Sequence, residues 1–398
     1  MKNFTIYFLL FCLSISVSFG QEKKNIKVSY KNNLKFKTAN LSLNIGGRIM
    51  YDNNFFHESN KLSNSFSTEQ VSSASQFRRL FLFSSGTINN AIEYKLQMNI
   101  VNAKIGLRDA YIGIKNIPFI GNVRVGQVKE PLRLEVLNSS NYLTFIERSF
   151  NVDFMLIRNS GILLKNSFND QKLSYQLGFF RQADGSTGND TVGNNNLTIT
   201  GRLASLIVNK ENQFLHIAAG SSYRTYDSDE YRVASKPEAN LSLLKYSDTN
   251  VLTDVDKVNI YQAEVAYGVG AFNFQTEYLT SLVDKVNETL QLNTYYGQVS
   301  YFLTKEHKEL KSSYAGFKRI KPLKSYGIDG YGALELALRY SYNDLNDGSI
   351  AGGEMSNVTF GVNWYLTSST KVLFNQSFGT VKDKGSLTSS LIRFQIDF

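Results

Sequence analysis

The last eight residues, LIRFQIDF (391–398), alternate between two kinds of side chain. Apolar residues occupy every second position and end on Phe398, while Arg393, Gln395 and Asp397 lie between them. Successive side chains of a β-strand point to opposite faces, so this period of two predicts a strand with one apolar and one polar face. Such a strand requires two different environments, and the rest of the chain must identify them.

The same alternation recurs over the whole chain. YQAEVAYGV (261–269) and FNFQTEY (272–278) flank Gly270, which predicts a hairpin with a tight turn at that glycine. Clusters of Asn, Asp, Gly and Ser at 183–196 and 343–357 separate alternating segments, and we interpret them as loops. The alternation also appears in EYKLQMNI, LSYQLGFF, LTITGRL, LHIAAGSSYR, LELALRYSY and VTFGVNWYL.

The first twenty residues are typical of a secretory signal peptide. Lys2 precedes an apolar stretch that is too short to span a bilayer as a helix, and Gly20 provides a small residue at its end. The only cysteine is Cys12, so the remaining chain carries no disulfide and depends on a large non-covalent architecture. No linker or composition break divides it, and we predict a signal peptide at 1–20 and a single domain at 21–398.

Composition narrows the class of protein further. The chain contains 28 Phe and 23 Tyr but only 4 Pro, as expected for many alternating strands. Its formal net charge is +9, and it would be +8 without residues 1–20, where Lys2 is the only charged residue. A basic excess is compatible with nucleic acid, an anionic membrane surface or small anions. Export makes nucleic acid the weakest of these partners.

Two architectures fit alternating strands over this length: a soluble multi-sheet protein and a membrane barrel. A soluble β-sandwich would show more turn prolines, and a last strand that ends on Phe398 is similar to the signal read by the machinery that assembles bacterial outer-membrane barrels. We therefore predict an all-β, transmembrane antiparallel β-barrel with one face toward outer-membrane lipid and the other toward a lumen. Sixteen strands give about 24 residues each with their connections, and fourteen or eighteen fit almost as well.

The inward phase of the predicted strands carries many charges. The adjacent Arg78 and Arg79 of FRRLFLF (77–83) cannot both face the lumen from a regular strand, which predicts a bulge or a position at the rim. These charges either pair with one another, as in any water-filled barrel, or line a path for anions, for which guanidinium is well suited. The basic candidates are Arg48, Arg79, Lys95, Arg124, Arg202, Arg224, Arg339 and Arg393.

The sequence gives little support to enzyme chemistry. The three histidines, His57, His216 and His307, are too scattered to predict a metal cluster, and neither a G-x-S-x-G motif nor a P-loop is present. We expect no catalytic residues, no metal and no cofactor. His216 lies on an inward phase, which leaves a barrel hydrolase as a minor alternative.

Eight segments, in this order, carry a resemblance to a known family: NIGGRIMYD, FRRLFLFSSGTINNAIEYKLQMN, DAYIGI, VRVGQVKEPLRLE, SSNYLTFIERS, GAFNFQTEYL, YYGQVSYFLT and FGVNWYL. Over about Leu34 to Phe398, the chain resembles the phosphate-selective porins O and P of Gram-negative outer membranes. The resemblance implies a sixteen-stranded barrel that assembles as a trimer, with loops folded inward and with small phosphate-like anions as its partners.

The resemblance also implies site residues. Arg48, Arg78 and Arg79 match lumen arginines that attract phosphate, and residues 130–149 match the inward-folded third loop. This chain departs from the family pattern at Arg108, which stands where an acidic residue precedes DAYIGI, and at Val136 and Asn141, where tight phosphate binders carry lysines. We include Arg108 among the pore-lining candidates.

Our leading hypothesis is a passive outer-membrane channel for small anions such as phosphate, which needs neither an energy source nor a cofactor. The alternative is a non-conducting outer-membrane barrel that acts in surface binding through its long loops at 183–196 and 343–357.

Overall fold

The structure is a computed structural model that describes residues 26–30, 32–66, 71–101, 104–170, 172–184, 187–189, 196–226, 228–312 and 315–398. The predicted signal peptide lies outside the described residues, and so does most of the predicted loop at 183–196. Within these ranges, no helix is both long and apolar enough to cross a bilayer.

Sixteen strands form one closed antiparallel sheet, as the sequence predicted. Each strand pairs with the next along the chain, and the last pairs with the first. These strands are β3 (Leu41–Glu58), β4 (Ser73–Ile88), β5 (Ile92–Val101), β6 (Lys104–Ile117), β7 (Gly121–Lys129), β8 (Arg158–Phe168), β9 (Leu173–Arg181), β10 (Thr198–Lys210), β11 (Gln213–Thr225), β14 (Val255–Val269), β15 (Phe272–Lys285), β16 (Thr289–Phe302), β19 (Ala333–Asp347), β20 (Ile350–Tyr365), β21 (Thr370–Val381) and β22 (Gly385–Asp397).

The barrel closes between β22 and β3, next to the chain end. A short hairpin of β1 (Lys27–Tyr30) and β2 (Leu34–Lys37) extends this seam, because β2 pairs with the first residues of β3. Phe398 and Gly47 exchange two backbone hydrogen bonds, with N···O distances of 3.1 and 2.6 Å. The terminal residue is thus part of the closure.

Side-chain alternation follows the predicted phases. On β22, Phe394 and Ile396 are exposed on the outside, while Arg393 is buried on the inside.

The predicted hairpin at Gly270 is confirmed: the glycine adopts φ +51° between β14 and β15. Most connections at this end of the barrel are similarly short, and we call it the short-turn end. We call the opposite end the long-loop end.

Residues 343–357 correct one expectation. They are not a loop, because β19 continues to Asp347, β20 starts at Ile350, and Gly348 turns between them with φ +50°. The polar composition of 343–357 indicated a loop, but a strand that extends beyond the lipid-facing region needs no apolar face. Within this hairpin, the Asn346 side chain accepts a hydrogen bond at 2.9 Å from the backbone N–H of Gly353. The surface-binding alternative therefore loses one of its two loops.

In the part of the chain that the structure describes, three connections fold into the barrel, which confirms the predicted inward-folded loop. The first, residues 130–157, contains the short helix Leu134–Leu137 and is largely buried. The second, residues 226–254, contains the small strands β12 (Ala234–Ser235) and β13 (Ser247–Asp248). The third, residues 303–332, enters from the short-turn end with β17 (Leu310–Ser312) and β18 (Ala315–Phe317).

The inward segments pack against one side of the barrel wall. The largest apolar cluster joins Leu132 and Phe154 of the first segment and Val233 of the second to Val258 and Leu279 on β14 and β15. A central cavity remains on the other side of the first inward segment, and its wall residues belong to β3 to β9.

Candidate functional site

Arg78 and Arg79 lie at a bulge in β4. Met50 pairs with Arg79 and Tyr51 pairs with Phe77, so Arg78 has no partner in the ladder with β3. The extra residue lets both adjacent arginines line the same cavity, which a regular strand would forbid. Of the two predicted arrangements, a bulge or a position at the rim, the structure has the bulge. The strand changes phase there, so Phe77 lies on the outside, 50% exposed, and not on the face of Arg79.

Both arginines line the central cavity of about 520 Å³ between the wall of β3 to β9 and the first inward segment. Among the described residues, twelve cationic and four acidic side chains line it. The cationic residues are Arg48, Arg78, Arg79, Lys95, Arg108, Arg124, Lys129, Arg148, Arg158, Lys165, Lys236 and Lys311. The acidic residues are Asp109, Glu147, Asp153 and Glu238.

Two further cavities continue the central cavity toward the ends of the barrel. A cavity of about 730 Å³, the outer vestibule, lies toward the long-loop end and shares Arg78, Arg108 and Asp153 with the central cavity. A cavity of about 340 Å³, the inner vestibule, lies toward the short-turn end and shares Arg48 and Lys95. The three cavities thus follow one another along one wall of the barrel, each of the two vestibules sharing lining residues with the central cavity.

Glu147 of the first inward segment binds the arginine pair. Its carboxylate accepts hydrogen bonds from Arg78 at 2.7 and 3.1 Å and from Arg393 at 3.0 Å, and lies 3.9 Å from Arg79. Burial by itself would raise the pKa of Glu147, but the three guanidinium charges hold it well below its usual range. The carboxylate thus stays ionised and occupies the place between these arginines.

Three other arginines of the cavity have no acidic side chain within 4 Å among the described residues: Arg48, Arg108 and Arg148. Arg48 donates to the Ser140 hydroxyl at 2.6 Å, and the Arg48 and Arg108 guanidinium carbons lie 5.0 and 5.6 Å from the centre of the Phe81 ring. These contacts orient the guanidinium groups without neutralising them.

Arg148 is held by the first inward segment itself. It donates to the backbone carbonyls of Glu135 at 2.9 Å and Asn138 at 3.3 Å. Burial lowers the pKa of Arg148 to about 10, so it remains charged at neutral pH. Arg48, Arg108 and Arg148 are thus charged groups of the cavity that no carboxylate contacts within 4 Å among the described residues.

Four predicted arginines lie elsewhere, each beside an acidic side chain. Arg202 pairs with Glu264, and Arg393 pairs with Asp52 at 2.6 Å. The others bind acidic residues of the inward segments. Arg224 pairs with Glu130 while lining the outer vestibule, and Arg339 pairs with Glu238 at 2.7 Å and Glu135 at 3.4 Å.

His216 is part of the buried group around Arg202. Its Nε2 atom lies 2.8 Å from the Glu264 carboxylate and 3.3 Å from an Arg202 nitrogen, and its side chain is fully buried. It does not line the three cavities described above. The inward orientation of His216 is therefore explained by its contacts with Arg202 and Glu264 inside the barrel.

Sequence reasoning missed six cationic residues of the central cavity. Lys165 lies on the inward phase of β8 with Leu163, and counting the alternation of that strand would have found it. Arg148, Lys236 and Lys311 could not be found this way, because the first two lie in irregular inward segments and the third in a strand of three residues. Lys129 and Arg158 lie at the strand ends that flank the first inward segment.

Residues 43–398 match the sequence profile of the family described as phosphate-selective porin O and P. Porin O of Pseudomonas aeruginosa is 22% identical over 390 residues, which cover 87% of this chain and 85% of that protein. An uncharacterized protein of Caulobacter vibrioides is 25% identical over 343 residues, which cover 82% of this chain and 66% of that protein.

Solved porin structures share the architecture. An anion-selective porin from Comamonas acidovorans superposes with a TM-score of 0.56 and 13% identity, over 90% of this chain and 100% of that chain. A loop-deletion mutant of OmpT, an outer membrane protein of Vibrio cholerae, superposes with a TM-score of 0.58 and 10% identity, over 90% of this chain and 99% of that chain. At these identities the two structures show the barrel fold alone.

Proposed function

The chain belongs to the phosphate-selective porin O and P family, and from that premise we propose that its lumen is a passive, anion-preferring diffusion route for small anions such as phosphate. It is an outer-membrane β-barrel porin, and this family forms channels that are not enzymes. The short-turn end then faces the periplasm, since outer-membrane barrels have short periplasmic turns and longer extracellular loops.

The charge of the central cavity carries this proposal. Twelve cationic side chains face four acidic ones, and fixed charges of one sign raise the local concentration of the opposite ion. Arg48, Arg108 and Arg148, which lack an acidic partner among the described residues, supply the part of this charge that is not neutralised at short range. An anion that passes them exchanges water for guanidinium donors.

Phosphate is the family's characteristic solute, and the donors of the cavity suit it. The planar fork of arginine matches two phosphate oxygens, and the Ser140 hydroxyl at 2.6 Å from Arg48 adds a further polar group beside that fork. Both groups would also donate hydrogen bonds to sulfate or to a carboxylate. The proposal therefore names small oxyanions as a class, with phosphate as the member implied by the family.

Reversal potentials in planar bilayers test the anion preference. In a potassium chloride gradient, we expect the potential to take the sign of the chloride equilibrium potential. A potential of the potassium sign would overturn the proposal. Competition then tests the preference for phosphate: adding phosphate should reduce the chloride current more than adding the same concentration of nitrate.

We also propose the assembly implied by the family. Residues 1–20 direct export, three copies form the particle, and the outer-membrane assembly machinery recognises the last strand through Phe398. The two backbone hydrogen bonds between Phe398 and Gly47 support a role of this residue in closing the barrel. Deleting Phe398 should lower the amount of heat-modifiable, trypsin-resistant barrel in outer-membrane fractions, and an unchanged amount would contradict that role.

A further inference from the structure

The third inward segment leaves the lumen before it reaches β19. Its first part is inside the barrel, where Phe317 packs in a cluster with Leu134 and Phe214, and Lys308 pairs with Glu335 at 2.6 Å. Arg319 then donates to the Asp397 carboxylate at 2.9 Å, at the last strand of the barrel. We call residues 319–332, from this arginine to the start of β19, the rim segment.

The later part of the rim segment, around Tyr326 and Tyr331, contacts the outside of the barrel wall. The Tyr326 ring packs edge-on against Trp364 with 5.6 Å between ring centres, and Trp364 donates from Nε1 to the Tyr331 carbonyl at 2.6 Å. Trp364 shares the outward face of β20 with Phe360 and Val362, both of them exposed. In an outer-membrane barrel this face is directed to lipid.

Four large side chains of the rim segment are left uncovered. Leu323 is 68% exposed, Tyr326 51%, Ile328 84% and Tyr331 85%. A concentration of exposed apolar and aromatic groups marks a contact surface, and aromatic residues at the end of a membrane barrel favour the level of the lipid headgroups.

The charges of the rim segment complement an anionic surface. Lys321 and Lys324 are exposed, and neither forms an ion pair within 4 Å among the described residues. The only acidic residue of the segment is Asp329, which accepts a backbone hydrogen bond from Ser325 at 2.6 Å. Basic residues next to apolar anchors bind membranes that contain anionic lipids.

We infer that the rim segment is a lipid-binding element, which inserts Leu323, Ile328 and Tyr331 at the headgroup level of the periplasmic leaflet and binds anionic phospholipid through Lys321 and Lys324. The same connection continues into the lumen, so the lipid contact also fixes the position of the inner part that carries Lys308 and Lys311. This inference does not depend on which ion the channel prefers.

A fluorescent probe attached to a single cysteine tests the contact. With Cys12→Ser, an introduced cysteine is the only thiol whether or not residues 1–20 are removed. Ile328→Cys carries an environment-sensitive probe in vesicles of phosphatidylethanolamine and phosphatidylglycerol. Glu211→Cys, in the exposed turn between β10 and β11 at the same end, is the matched control.

We expect the probe at position 328 to emit at shorter wavelength, to lose most of its quenching by aqueous iodide, and to be quenched by lipids spin-labelled near the headgroup. The control probe should behave in the opposite way. Equal iodide quenching of the two probes would overturn the inference. Protection from iodide without quenching by lipid, together with cross-linking between copies, would also overturn it, because a second copy would then cover the segment.

The lysines are tested separately. The double substitution Lys321→Glu and Lys324→Glu should reduce lipid quenching of the probe in vesicles that contain phosphatidylglycerol, and should change it much less in vesicles of phosphatidylcholine alone. Unchanged quenching in both would show that the lysines do not bind anionic lipid.

Discussion

Glu147→Gln gives the sharpest test of how the cavity handles an anion. In the parent protein the Glu147 carboxylate accepts two hydrogen bonds from Arg78, at 2.7 and 3.1 Å, and one from Arg393 at 3.0 Å. A permeating anion must therefore compete with a carboxylate that the fold holds in place. The neutral amide introduced by the substitution keeps the size of the side chain but has one acceptor oxygen in place of two, so it frees one N–H donor of the Arg78 guanidinium group.

The expected size of the effect follows from these contacts. A hydrogen bond to a charged group contributes about 1.5–3 kcal/mol. If phosphate gains one such bond from Arg78, its dissociation constant falls about ten- to hundredfold. The assay is the single-channel chloride current during a phosphate titration. We expect the phosphate concentration that halves the current to fall by the same factor.

Glu93→Gln is the matched control. Glu93 pairs with Arg124 at 2.7 Å and lines the inner vestibule, so its substitution changes the lumen charge equally without affecting the arginine pair. The half-blocking concentration should fall much less in this variant. A Glu147→Gln channel that matches either the parent or the control would refute the reasoning.

Three further outcomes are expected. Replacing Arg78 and Arg79 together by alanine should shift the reversal potential toward that of an unselective pore, whereas an unchanged potential would make them structural residues. Burial raises the pKa of Asp153, which lines both the central cavity and the outer vestibule, to about 7. This carboxyl is neutral below that pH and negative above it, so anion preference should decline as the pH rises through about 7. Asp153→Asn should make the anion preference independent of pH in this range. A parent protein whose anion preference does not change with pH would contradict this prediction. Leu134→Ala removes a fully buried side chain of the first inward segment and should destabilise the packing of the segment by about 2–5 kcal/mol, measured as noisier and larger single-channel currents.

The sequence predicted the barrel well because lipid imposes one simple constraint on every strand. An outward side chain must be apolar, so the phase of β22 or β14 can be counted without knowing its neighbours. The bulge at Arg78 was also predictable, since two adjacent guanidinium groups cannot share one face of a regular strand. The prediction of a loop at 343–357 was wrong because it rested on the Asn and Gly content of these residues. A strand beyond the lipid region can be fully polar, and β19 and β20 extend through this stretch.

The site was harder to predict, because the phase of a strand does not show which charges remain unneutralised. Arg48 and Arg339 both lie on inward phases, but Arg339 binds Glu238 and Glu135 of the inward segments. Among the described residues, Arg48 instead contacts a serine hydroxyl and an aromatic ring and has no carboxylate within 4 Å. The inward segments are irregular, so no side-chain alternation in the sequence predicts where their carboxylates lie. The acidic residues of these segments therefore determine which arginines of the wall are available to an anion, and substitutions within the segments should alter selectivity as strongly as substitutions of the wall arginines.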